Sequence, residues 1–487
     1  MNSTNRPVKL KNLIAYGIGD MYGNGSFVVI SLLFMFFLTD VVGLSPSMAG
    51  AIVLIGKFWD AFSDPLMGYI SDNLKTRFGR RRVFFLIGFI PVGVSFALLW
   101  VDLHADNTMV TFAYYTFTYI LFSTVFTMVM IPYRALNAEM TPDYVIRTRL
   151  TGSKMIFSQV GGLIAATIPK LIVDQLYPED QSLGFLVMGI VFGIFFAIPW
   201  LIVFMGTWET VVPEDRQRGT GNFLTQFLTL LQSKTFRIHM GLYISAFSAL
   251  DMLMALFIYY LTHYLKQDAM YSTTMGAMII TSIVMIPLYV MFANRKGKAA
   301  AYIIGMIFWG LGIFAFAMLS PESPSYLLIL SAMLAGVGMS AATVMPWAML
   351  PSLIDVDELV SGLQRSGICS GSMTLIRKMV QAVVLFILGI LMDVIGYVPN
   401  ADQSAETLGY LRILFFAAPF FFVLTGIIFA SRFRVTPKTH AVLKSELERL
   451  RAGGNMNEVD PVAKEICQEL SGIRYEDLYK SRKENKN

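Results

Sequence analysis

Two aspartates, Asp60 and Asp64 in the segment KFWDAFSDPLMGYISD, stand in the middle of an otherwise apolar stretch. Their i, i+4 spacing puts both carboxylates on one helix face, about one turn apart, with Ser63 beside them. Carboxylates that close repel each other, so either one of them takes up a proton or a cation neutralises the pair. Hard oxygens held together in an apolar setting are ligands for Na⁺ or H⁺, with Asp60 and Asp64 as the charged ligands. A salt bridge to Lys57 or Lys378 is the plainer alternative, but one lysine leaves one acid unbalanced. Lys378 lies in a second apolar stretch, with Arg377 before it and Gln381 one turn on. A buried lysine needs a carboxylate partner, so Lys378 facing the acids of the first half would tie two parts of the chain together electrically. Arg377 either joins that network or, at a helix end, extends its head group to the interface.

Other charges fall at similar depth, where each costs roughly 2.5–3.5 kcal/mol on insertion scales and is a functional candidate by default. Asp20, in YGIGDMYGNGS, and Asp251 occupy comparable places in the two halves of the sequence. Gly17, Gly19, Gly23 and Gly25 leave the first segment open to close packing or to a ligand. Asn24 among them can donate and accept hydrogen bonds, which suits a hydroxyl-rich solute. Tyr22, Tyr133, Trp347, Tyr259 and Tyr260 are candidates for stacking on a sugar ring, against the alternative of core or lipid-facing aromatics.

These residues sit in a chain of 487 residues that is 55% hydrophobic and 15% charged, against about 25% charged for soluble domains. Stretches of about 20 apolar residues, each able to cross a ~30 Å hydrocarbon core, recur about twelve times before residue 432. The expected fold is an all-α membrane protein, with twelve transmembrane helices in two pseudo-symmetric six-helix halves. Residues 1–206 form the first half, 207–236 a polar central loop, 237–431 the second half and 432–487 a soluble tail. A degenerate repeat, GYISDNLKTRFGRRR against MFANRKGKAA, supports two related halves. In the tail, Leu443, Leu447 and Leu450, then Val462, Ile466 and Leu470, have helical spacing.

Lys and Arg collect in alternate loops, as in Arg6, Lys9 and Lys11, or Lys75 to Arg82, while TDVVGLSPS, VDLHADNTM, VDQLYPEDQS and LSPESPS carry none. By the positive-inside rule both termini are cytoplasmic, and a bacterial cytoplasmic membrane is the expected setting. The loop GYISDNLKTRFGRRR places Asp72, Arg77, Arg80 and Arg81 where they could pair with Glu139, Asp355 or Asp357 and gate that side. The net charge of +5 is spread over such loops and is no nucleic-acid footprint. Cys369 and Cys467 have no Cys or His at metal-ligand spacing, and no G-x-S-x-G or P-loop is present. An enzyme and an ATP-driven pump are excluded on those grounds, and no cofactor beyond a coupling cation is expected.

Over roughly residues 10–430 the chain resembles the glycoside–pentoside–hexuronide:cation symporters of the major facilitator superfamily. The resemblance is carried by YGIGD, TDVVGLS, WDAFSDPLMGYISD, IPYRAL, the Asp355 to Glu358 segment, and Lys378 followed by IGYVPNADQS. It implies a cation site of Asp60, Ser63, Asp64 and Thr127 with Lys378 close by, and alternating-access import of a sugar or glycoside by a monomer. Ser63 stands where galactoside-carrying members have Asn, which leaves Na⁺, Li⁺ and H⁺ open. Two aspartates that grip the galactoside in those members fall here on Asn24 and Met130, and a tryptophan becomes Arg134. With Lys154 nearby, Arg134 would favour an anionic sugar, a uronide or a sulfo-sugar. A lysolipid is a further alternative, as is a transport-inactive sensor signalling through its tail.

Overall fold

The computed structural model describes residues 8–479, apart from 75, 104–106, 142–143, 210–222, 364 and 400. Arg6, Arg216, Arg218 and most of the central loop therefore lie outside the described residues. Twelve long helices precede residue 432: α1 (10–41), α2 (Pro46–Asn73), α3 (Val83–Leu98), α4 (Thr108–Met140), α5 (144–176) and α6 (Gln181–Gly206), then α7 (Lys234–Leu265), α8 (Tyr271–Lys296), α9 (Lys298–Ala317), α10 (Ser325–Ser361), α11 (Ser366–Val394) and α12 (Ala405–Ser431). Among the described residues no strand occurs. A short helix, Phe223–Leu230, stands within the stretch expected to be loop.

Nine of these helices, α4 to α12, are long and apolar enough to cross a membrane by length and composition, and α3 is a shorter apolar one. The remaining two depart from that pattern for local reasons. α1 is interrupted at Ile18 and Gly19 and then opens into wide turns over Ile30–Phe34 and Phe37–Val41. The Tyr133 hydroxyl reaches across at 2.7 Å to the Tyr16 carbonyl at that interruption. α2 carries Lys57, Asp60, Asp64 and Asp72. Its start is fixed by Ser45, whose hydroxyl accepts from the Met48 N–H, and by Pro46 in the first turn. Pro65 inside α2 has no N–H for the Ala61 carbonyl, so the ladder is loosened between the two acidic positions.

The helices form two six-helix halves. Within the first, α3 packs on α6, α1 on α5 and α2 on α4; within the second, α9 packs on α10, α7 on α12 and α8 on α10. Between the halves the main contacts are α2 with α11, α5 with α8 and α1 with α7. Close approach needs glycine at one of these seams: a Cβ on Gly389 would meet the Pro46 carbonyl across the α2–α11 contact.

The halves are sealed toward the face opposite the termini. There His263 of α7 lies 2.9 Å from Asp40 of α1, and the Tyr397 hydroxyl beyond α11 donates to the same carboxylate. Thr39 meets the Tyr259 hydroxyl at 2.8 Å, the Ser47 N–H donates to Asp393 at 3.1 Å, and Ser272 donates to the Thr167 carbonyl at 2.9 Å. At the face bearing the termini, the ion pairs Arg80 and Arg81 with Glu139, Arg365 with Asp357, and Arg451 with Glu358 each stay within one half and its tail.

The tail folds into α13 (Pro437–Arg451) and α14 (Pro461–Ser471). Leu443, Leu447 and Leu450 are buried as their spacing predicts, but the inward stripe of α14 is Ala463, Cys467 and Leu470, with Val462 exposed. The difference is one of phase: Cys467 and Leu470 define the apolar face, and Val462 lies off it. The tail sits on the ends of α7 and α10. Arg451 forks onto Glu358 with two 2.7 Å bonds, His440 meets Asp355 at 2.7 Å, Thr235 donates to the Leu470 carbonyl at 2.6 Å, and the Tyr479 N–H reaches the Leu359 carbonyl at 3.1 Å.

Candidate functional site

α2 presents Lys57, Asp60 and Asp64 at spacings of three and four, one stripe that faces α4 and α11. Lys378 crosses from α11 in the other half, its ammonium donating to Asp64 Oδ2 at 2.6 Å and lying 3.4 Å from Asp60 Oδ2. Thr127 of α4 donates to the second oxygen of Asp64 at 2.7 Å. Lys57 lies 3.9 Å from Asp60 and 3.8 Å above the ring of Phe27. Five of the residues singled out from sequence, Lys57, Asp60, Asp64, Thr127 and Lys378, thus converge. The lysine alternative and the paired-acid arrangement coexist, with two ammonium groups facing two carboxylates.

What is unusual is how little Asp60 is bonded. Asp60 is 1% exposed, yet neither of its oxygens has a hydrogen-bond partner, and the same holds for the buried Ser63 hydroxyl beside it. Buried polar oxygens are nearly always hydrogen-bonded, whereas Asp60 Oδ2 has only the ammonium groups of Lys378 at 3.4 Å and Lys57 at 3.9 Å facing it. Asp64, with 24% of its side chain exposed, is the member that solvent can reach. Among the described residues no group of three or more His, Cys, Asp or Glu is placed to hold a metal ion, so the oxygen set is two carboxylates with hydroxyls.

The other candidates separate. Asp251 of α7 is engaged inside its own half: Arg377 Nη2 donates to Oδ1 at 2.8 Å, Arg377 Nη1 lies 2.8 Å from Oδ2, and Gln381 donates to Oδ1 at 2.9 Å. Arg377 is therefore not extended to an interface. Asp20 lies 3.6 Å from Lys154, whose ammonium also stands over the Tyr133 ring. Asn24 spends its amide on the Ser158 carbonyl at 2.9 Å, and Met130 is buried against Gly23. The glycines of α1 serve packing. Tyr22, Tyr133, Tyr259 and Tyr260 are fully buried, which is the core alternative, in this conformation. Trp347 is the exception, 40% exposed with its ring edge-on to Tyr243. Arg134 is exposed on α4 and makes no ion pair among the described residues.

In the loop before α3, Arg80 and Arg81 both bond Glu139 at 2.7 Å, while the N–H groups of Arg80, Arg81 and Arg82 donate to the Glu209 carboxylate at 2.8–2.9 Å. An acid on the N–H groups that open a helix is favourable for both hydrogen bonding and the helix dipole. Arg77 lies over the Phe78 ring, and the Asp72 side chain lies outside the described residues. Asp355 and Asp357 are held by His440 and Arg365. Glu209 and the Asp40, His263, Tyr397 cluster have no local sequence signature. That the chain has only four histidines, one of them close to the end of an apolar stretch, is the sole cue to His263.

Residues 15–437 match the family described as MFS/sugar transport protein. The chain belongs to this family. The chain is thus a multi-pass membrane protein with the major facilitator fold, working as a carrier and not as an enzyme. It is 25% identical to an uncharacterized symporter of Synechocystis, over 89% of this chain and 96% of that one. It is 23% identical to a glucuronide carrier protein homolog of Escherichia coli, over 91% and 96% of the two chains. In fold it is similar to the inward-facing, unoccupied crystal structure of a bacterial homolog of the human lysosomal transporter Spinster, with TM-score 0.64, 12% identity, and coverage of 88% and 96%.

Proposed function

We propose that this protein imports a sugar or glycoside by alternating access, and that a monovalent cation bound at Asp60, Ser63, Asp64 and Thr127 drives it. The observation that carries this reading is the buried, hydrogen-bond-free oxygen set of Asp60 and Ser63, next to an ammonium bridging Asp60 and Asp64. An arriving Na⁺ or H⁺ takes the place of Lys378 on Asp64, and when it leaves Lys378 returns. The carrier is then electrically balanced at that site with or without its cargo, as a carrier that cycles both loaded and unloaded must be.

The distribution of Lys and Arg supports cytoplasmic termini in a bacterial cytoplasmic membrane. With that orientation, the contacts of Asp40, Asp393 and Thr167 seal the outer side, and the solute space between residues 1–206 and 237–431 faces inward. Trp347, Asp20, Lys154 and Arg134 line that space as the solute contacts, and the chain acts as a monomer. One cation entering with a neutral sugar moves one charge, worth about 2.3 kcal/mol per 100 mV, or roughly a 50-fold gradient.

A second reading, an anionic sugar, is favoured by Arg134, which is exposed and has no ion pair among the described residues, and by Lys154, which lies 3.6 Å from Asp20. The glucuronide carrier homolog among the relatives points the same way. Uptake into vesicles of a neutral glycoside and the matching uronide, each with and without Na⁺, Li⁺ or a pH gradient, tests both. Cation-driven accumulation with inward current for the neutral glycoside supports the main reading, and electroneutral uptake of the uronide the second. Equal uptake with no gradient of any of the three cations refutes coupling.

A further inference from the structure

Adjacent residues of an α-helix point about 100° apart, so one helix can hold two neighbours at once with consecutive side chains. α11 does this at Arg377 and Lys378. It packs against α7 of its own half and α2 of the other. Arg377 turns to α7, where its guanidinium lies 5.0 Å from the Phe247 ring and grips both oxygens of Asp251. Gln381, one turn on and on the same face, adds a third contact to that carboxylate. Lys378 turns the other way, to Asp64 and Asp60. Two hydrogen bonds and an ion-pair contact from one helix on a single buried carboxylate resist rotation of α11 about its axis. That rotation is the motion that would carry the Lys378 ammonium off the acids.

Energetics alone does not explain the Asp251 pair. A buried ion pair gives little stability over apolar residues of like volume, so retaining one calls for a role. Nor is it isolated from the cation site. Lys57 lies within electrostatic reach of Asp251 and Arg377 as well as of Asp60 and Lys378, and Lys57 and Gln381 line one pocket with Phe27, Ser31 and Tyr119. Asp60, Asp64 and Asp251 face Lys57, Arg377 and Lys378, three acids against three bases.

We infer that Asp251, Arg377 and Gln381 form a clamp that positions Lys378 as the internal competitor of the coupling cation, so that Arg377 and Gln381 are positioning residues for coupling, not solute contacts. The inference rests on the cation-coupled reading above. With the clamp intact, Lys378 holds Asp64 whenever the cation leaves. With it loosened, Lys378 competes less well, the cation binds more tightly, and the unloaded carrier returns more slowly.

The test uses the purified full-length protein and Na⁺ alone as probe, with Li⁺ and a pH series in parallel, and reads thermal unfolding against cation concentration. The variants are Gln381→Leu, which changes no charge, and the double variant Asp251→Asn with Arg377→Gln, which keeps the charge sum. Asp251→Glu is the conservative rescue. The expected result is a fall of about tenfold in the half-saturating cation concentration for the double variant, a smaller fall for Gln381→Leu, and a wild-type value for Asp251→Glu. In vesicles, net uptake should fall while exchange persists. A merely structural pair would lower the unfolding temperature without cation and leave the half-saturating concentration where it was, and that result overturns the inference. A wild-type protein that none of the three cations stabilises would instead refute the coupled reading itself.

Discussion

Asp60 and Asp64 look equivalent in sequence, but their surroundings make them unequal, and replacing each by asparagine should separate two effects. Asp60 is 1% exposed and lies between two ammonium groups, Lys57 at 3.9 Å and Lys378 at 3.4 Å. Lys57 is itself 2% exposed. Asp60→Asn therefore strands a buried cation, which costs on the order of 3 kcal/mol of stability. Asp64 is partly exposed, and after Asp64→Asn the Lys378 ammonium still has Asp60, so the loss should be about 1 kcal/mol. Cation affinity should fall in both. A unit charge about 4 Å away is worth roughly 4 kcal/mol at an effective dielectric of 20, and halving that for re-pairing with the lysines leaves about 2 kcal/mol, or roughly 30-fold. The assay is fluorescence-detected unfolding of the purified variants across a Na⁺ series, followed by uptake in vesicles. Asp60→Asn should unfold at clearly lower temperature than Asp64→Asn in the absence of cation, and neither should accumulate solute uphill. Two variants of equal stability, or one that keeps cation-dependent accumulation, would refute the assignment of these acids.

Ser63→Ala removes a buried hydroxyl that has no partner, so stability should change by less than about 0.5 kcal/mol while the half-saturating cation concentration rises several-fold; no change in cation response would remove Ser63 from the site. Asp40→Asn weakens the contact with His263 and Tyr397 that joins the halves, at about 1–2 kcal/mol, which should favour opening at that face about 5- to 30-fold. Labelling of a single cysteine placed at Leu44 reads this, and an unchanged rate would show that the contact does not hold the halves. Burial pushes the Cys467 thiol from 9.0 up to about 12, so at pH 8 its thiolate fraction is about a thousandth of an ordinary thiol's. In a Cys369→Ser background, Arg451→Ala should undock the tail and speed alkylation of Cys467 by about two to three orders of magnitude, and an unchanged rate would show that Glu358 and Arg451 are not what fixes it.

Much of the architecture could be read from residue patterns alone, because bilayer-length apolar runs are written continuously along the chain. α2 is the instructive case: its charges disqualify it as an ordinary apolar span, and those same charges are the site. Asp60, Asp64 and Lys378 were visible because charged groups at that depth are costly enough to stand out one by one. What was not legible was pairing across helices. Nothing local to Arg377 says that it faces Asp251 while the next residue faces Asp64. The packing phase of α11 decides it, and α7 and α2 set that phase. Tyr133 likewise has a polar head suited to a solute, yet the interruption of α1 claims its hydroxyl through the Tyr16 carbonyl. In α14 the spacing favours Val462, but Ala463, Cys467 and Leu470 form the buried face.

The docking of the tail bears on how the protein is made. Glu358 and Arg451 are 93 positions apart and Asp355 and His440 are 85 apart, and α11 and α12 both lie in between. Those partners can meet only if the two intervening helices cross the bilayer an even number of times, because a chain that inserts one of them and not the other leaves the tail stranded on the wrong side. An improperly inserted chain would therefore show the cell two naked acids at the end of α10 and an unburied stripe of Leu443, Leu447 and Leu450. Tail docking is in effect a parity check on the last helical hairpin, and its failure displays the kind of apolar surface that membrane quality control removes.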